Sequence, residues 1–111
     1  MPGFRAFLLL IWILLAGYTA MVAAEHGLGL FAVFFGDILA LTWPGQFNLD
    51  FLLLLTLCAL WVAWRHRFSK AGWALGTLVL VGGVLALVPY LLVAIARANN
   101  DPRALLLGKH A

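Results

Sequence analysis

The sequence predicts an all-α integral membrane protein: three transmembrane helices, with one interfacial or re-entrant helix between the first and second spans. Composition is the first reason. Of 111 residues, 66% are hydrophobic and 10% charged, with a mean hydropathy of +1.08. Soluble domains carry about 25% charged residues. The second reason is the length of the uncharged runs, because about 20 helical residues cross a hydrocarbon core of about 30 Å. The third is the absence of the alternating polarity that barrel strands require. A backbone inside lipid must satisfy its own hydrogen bonds, so runs of this length are helices.

The net charge of +3 is spread over the ends of the runs. No basic stripe of the kind that binds nucleic acid is present. Cys58 is the only cysteine, which excludes an internal disulfide or a multi-cysteine metal site.

Arg5 precedes the uncharged run Ala6 to Ala24. Its cationic start and the Val22-Ala23-Ala24 ending imitate a cleavable signal. The run is long enough to span, and we read it as a retained first helix over about 5–24. Residues 25–48 follow with no Lys or Arg. Within them, about 28–43 is apolar but short for a span and contains Asp37, whose insertion at the bilayer centre costs about 2.5–3.5 kcal/mol. Gly29, Ala32, Gly36 and Ala40 recur at helical spacing and form a stripe on which another helix can pack closely. This segment reads as an interfacial or shallow re-entrant helix stopped by Trp43-Pro44-Gly45.

The second span is expected over about 49–64, with Asn48 as its N-cap. Asp50 would then lie in the first turn, where the helix dipole favours a carboxylate. Trp61 and Trp64 mark the headgroup level. Arg65, His66, Arg67 and Lys70 form a cationic turn. The third span covers about 71–97, with Gly72 and Gly76 as a GxxxG pair, Gly82-Gly83 as a second thin point, and a kink expected at Pro89. Asn99 to Pro102 reads as a turn before a short tail.

Three spans place Arg5, Arg65, Arg67 and Lys70 on one side, and Arg97, Arg103 and Lys109 on the other with the cation-free 25–50 segment. The first helices dominate orientation, so the expectation is a multi-pass bacterial inner (cytoplasmic) membrane protein with a cytoplasmic N-terminus.

Ionisable residues within or beside the membrane are the candidates for chemistry. Asp37 leads, as a proton site or an interfacial carboxylate. Asp50 and Glu25 read more simply as dipole-favoured and interfacial groups. His26 sits among Ala23, Ala24, Gly27 and Gly29, small residues that let a planar macrocycle approach. Its imidazole is the one candidate ligand for haem or a chlorophyll-type pigment. His66 lies in the opposite turn and His110 in the tail, so one chain cannot supply a bis-histidine haem. No nucleophile–base pair, metal cluster or phosphate loop is present, and we expect no catalysis.

Glu25-His26-Gly27-Leu28, Phe47-Asn48-Leu49-Asp50-Phe51-Leu52, Gly72-Trp73 and Gly82 to Leu91 with its Leu87-Val88-Pro89-Tyr90-Leu91 core follow one another in order. Over about residues 6–97 this order resembles small bacterial three-helix membrane proteins catalogued only as a domain of unknown function. The resemblance implies a fold and topology, and no activity. Asp37 has no counterpart in that pattern. A second likeness is to the three-span membrane anchor subunit of succinate dehydrogenases. There a haem-ligating His precedes an Asp-Tyr quinone pair by a spacing like that from His26 to Asp37, but Ile38 stands here in place of the Tyr.

The expected function is therefore an accessory or structural subunit, packed in the lipid bilayer against other subunits of a larger membrane complex of respiratory or photosynthetic type. The surplus of close-approach positions motivates it. The alternative is a haem- or quinone-binding anchor resting on His26 and Asp37. A carrier using Asp37, Asp50 and the Pro89 kink is a third class, and it needs oligomerisation.

Overall fold

A computed structural model describes residues 1–111, and they form helices joined by tight turns. The helices are α1 (Pro2–His26), α2 (Leu30–Leu39), α3 (Trp43–Arg65), α4 (Lys70–Gly82), α5 (Val84–Arg97) and α6 (Pro102–Leu107), followed by a 3-10 turn at Gly108–His110. The 25 residues of α1 and the 23 of α3 are long and apolar enough to cross a membrane. At 1.5 Å per residue they extend about 37 and 34 Å. The 10, 13 and 14 residues of α2, α4 and α5 are each too short for that.

Several expected boundaries move. Trp43-Pro44-Gly45 does not stop the helix at 28–43; α2 ends at Leu39, and Trp43-Pro44 opens α3. The reason is that proline at the first helical positions sacrifices only an amide that has no partner there. The second long helix therefore starts six residues before Leu49, with Thr42 and not Asn48 at its N-cap. Asn48 lies inside α3, where its Nδ2 donates to the Phe34 carbonyl of α2 at 3.1 Å. Asp50 is correspondingly displaced from the first turn into the body of the helix, at an exposed position.

The run expected as one span over 71–97 is two helices. Gly83 takes φ +58° and ψ −137°, a region that an L side chain resists and glycine enters freely. The chain reverses there. The tip at Gly83 lies beside Phe51 and Leu55 of α3, while Tyr90, seven residues on, already reaches Arg65 and His66 at the α3–α4 turn. So α4 descends along α3 and α5 climbs back, a helical hairpin reaching only partway down the long helix.

Pro89 lies within the continuous α5, and the break is at Gly83. Proline at 89 lacks the amide that would bond the carbonyl of residue 85 in a helix. That carbonyl instead accepts the indole Nε1–H of Trp12 at 3.0 Å. The contact draws α1 against α5, and Leu8, Val88, Ala94, Ile95 and Leu105 make the small core there. At its start, α1 is tied to the other end of α5 by Arg5 Nη2 donating to Asn100 Oδ1 at 2.8 Å.

The α3–α4 seam is closed by glycine. A Cβ on Gly76 would stand 2.8 Å from the Ala59 carbonyl oxygen, and one on Gly72 3.0 Å from that of Ala63. Gly45 plays the same part at the α2–α3 turn, where a Cβ would collide with the Asp37 carbonyl. Only 13 of the 111 residues are buried.

Candidate functional site

The hairpin gathers the cations. Arg5 meets Asn100, Arg67 Nη2 donates to the Lys109 carbonyl at 3.0 Å, and Lys70 follows the same α3–α4 turn. Arg97 and Lys109 flank one cavity with Arg65, and Arg103 lies on the helix docked over Arg65. All seven Lys and Arg residues thus stand at one end of the molecule, with Asp101 the one carboxylate among them. The expected division of four cations against three does not hold, because α5 returns the tail to the turn it was expected to leave behind.

Arg65 is the centre of this end and is only 7% exposed. It has no carboxylate partner. Its Nε donates to the Leu105 carbonyl at 2.6 Å and Nη1 to the Tyr90 hydroxyl at 2.5 Å; Nη2 has a weaker 3.4 Å contact to the Ala104 carbonyl. The guanidinium also lies 5.5 Å from the Trp61 ring centroid and 5.6 Å from that of Tyr90, within cation–π range. The last carbonyls of any helix lack internal donors and carry the negative end of its dipole. In α6 those carbonyls meet Arg65, and the Leu106 carbonyl accepts Trp61 Nε1 at 3.1 Å. Helix end and guanidinium satisfy one another without an acid.

The same logic runs through the aromatic neighbours. His110 stacks on Trp64 with centroids 4.1 Å apart, and its Nε2 lies 2.7 Å from the Trp64 carbonyl, a contact in which the imidazole N–H donates. Tyr90 receives the Arg65 N–H, and its own hydroxyl is 2.8 Å from His66 Nε2. Burial, with Arg65, Lys109 and Arg97 nearby, lowers the His66 pKa below its usual 6.5. His66 is accordingly neutral at pH 7 and can accept the Tyr90 O–H.

Between α4, α5 and the tail lies a cavity of about 770 Å³. Arg65, Arg97 and Lys109, with the neutral His66, line its polar part and no carboxylate does; Leu75, Leu78, Pro89 and Val93 line its apolar part. No hydrogen bond or ion pair within the chain engages the side chains of Arg97 and Lys109.

The residues singled out from sequence lie elsewhere. Glu25 and His26 are exposed at the far end of α1, 3.9 Å apart. Asp37 is half-buried where α2 meets Gly45, and Asp50 is exposed on α3. No hydrogen bond joins His26 to Asp37, and no group of three His, Cys, Asp or Glu converges to hold a metal. Gly29 and Gly36 face nothing within 4 Å, and Ala32 and Ala40 are exposed, so the stripe is unused within the chain. Gly72 and Gly76 are spent on α3, Gly82 faces Ala86, and Gly83 forms the hairpin tip. Sequence reasoning passed over Arg65, Tyr90 and Gly108. A Cβ on Gly108 would press on the Arg65 backbone. The available signal was a Pro-initiated, apolar tail helix ending in glycine, which needs something to cap it. No family model, curated protein or solved structure matches the chain.

Proposed function

We propose that this chain is a non-catalytic integral membrane protein, an accessory subunit that packs against a larger complex in a bacterial cytoplasmic membrane. The observation that carries the reading is the segregation of charge. Seven Lys and Arg residues lie at one end, and the remainder has three carboxylates and no cation. Two apolar helices of about 34–37 Å lead away from that end. Cationic ends stay in the cytoplasm, so α1 and α3 cross once each and both chain termini are cytoplasmic. In this arrangement α4 and α5 are a re-entrant hairpin dipping from the cytoplasmic face, tolerated because its irregular tip is covered by α3. The third crossing expected from hydropathy becomes two half-crossings.

Support for a subunit role comes from the opposite half. There the large apolar side chains of α1 and α2 are exposed, and the Gly29–Gly36 face is open to a helix from another chain.

Topology is tested by single-cysteine labelling in a Cys58→Ala background. Cysteines placed at Arg67 and at Ala111 are expected to react from the same, cytoplasmic side, and one at Leu41 from the other. Labelling of positions 67 and 111 from opposite sides would restore three crossings. The subunit role is tested by a photoreactive side chain at Val33, which is exposed beside Gly36. Adducts with other membrane polypeptides, reduced by Gly36→Leu, are expected; adducts to lipid alone, or to a second copy of this chain, would sink it.

A further inference from the structure

We propose that the cavity between α4, α5 and the C-terminal segment binds one phosphate-bearing anionic amphiphile, its headgroup on Arg97, Lys109 and Arg65 and its apolar tail between the two hairpin helices. The inference rests on the membrane reading and adds a ligand to it. Charge is the first argument. Arg97 and Lys109 point at a shared space with no acid in it, and like charges gathered without a counter-ion repel. Arg65 spends three of its five N–H groups on protein acceptors and keeps two. A phosphate accepts several such bonds at once and would neutralise the cluster.

Shape is the second argument. The volume of about 770 Å³ falls in the range of small-molecule sites, roughly 300–1,000 Å³, and is far more than a bare phosphate needs. Its walls change from Arg97, Lys109 and His66 to Leu75, Leu78 and Val93. That gradient matches a lipid lying with its head at the cytoplasmic surface and a chain directed inward. Basic pockets between membrane helices on that side are places where anionic lipid headgroups bind. His66, uncharged at neutral pH, contributes a polar contact without adding to the repulsion.

The test is native mass spectrometry of the full chain released from nanodiscs of phosphatidylglycerol or phosphatidylcholine. Retention of one phosphatidylglycerol, with phosphatidylcholine lost, is expected. The double variant Arg97→Gln/Lys109→Gln is expected to weaken retention about thirtyfold, two surface charges at their usual strength. Its helical circular dichroism should be unchanged, since neither side chain bonds within the fold. Displacement of the lipid by millimolar inorganic phosphate would overturn the amphiphile and leave a free-phosphate site. Equal retention of the two lipids, or full retention by the double variant, would overturn the site. A chain that stays in aqueous solution without detergent or lipid would overturn the membrane reading itself.

Discussion

Arg65→Met is expected to release the C-terminal segment from the body of the protein. The buried guanidinium makes two short hydrogen bonds, to the Leu105 carbonyl at 2.6 Å and to Tyr90 at 2.5 Å. A hydrogen bond to a charged group contributes about 1.5–3 kcal/mol, and losing both is partly offset by relief from burying a cation. The net cost is about 2–4 kcal/mol, concentrated on the docking of α6. Hydrogen exchange should show it directly: amides of residues 105–108 lose protection by about thirty- to a thousandfold, while those in the middle of α1 and α3 keep theirs. Arg65→Lys separates charge from geometry. It preserves the cation but cannot reach Leu105 and Tyr90 with a planar fork, so it should recover only part of the protection. Unchanged exchange in Arg65→Met would show that the tail is held by Leu105 and the Trp64–His110 stack instead.

The second large effect concerns Pro89. If Trp12 replaces the missing amide at position 89, Trp12→Phe leaves the Leu85 carbonyl without a donor and costs about 1–3 kcal/mol. Part of any such loss is the smaller ring, which a single variant cannot separate. Pro89→Ala provides the separation, because alanine returns an N–H that bonds Leu85 within α5. In that background Trp12→Phe should cost about 1–2 kcal/mol less, a coupling read from unfolding in mixed micelles as a double-mutant cycle. Equal costs in both backgrounds would mean that Trp12 serves α5 by packing alone.

Both predictions turn on partners distant in sequence, and that is where the sequence reading and the structure part. Helix at nearly every position was legible, since the long uncharged runs admit little else. So was the turn at Asn99-Asn100, where both residues take positive φ, which asparagine tolerates. The seam at Gly72 and Gly76 could be located as a place of close approach, though its partner could not. Local rules misplaced Pro44, because a proline can stop one helix or open another, and here it only opens α3. Gly82-Gly83 marked a thin point, but a thin point permits packing or reversal equally well.

By itself, then, the sequence determined an apolar, helical chain whose cations sit at the ends of its runs. Only the tertiary structure decided that those ends are one end. Hydropathy records how much of a segment is apolar and says nothing about its direction. The direction of α5 follows from a left-handed Gly83 and is held by the Leu85 carbonyl and the Tyr90 hydroxyl, whose donors Trp12 and Arg65 come from helices far away in the chain.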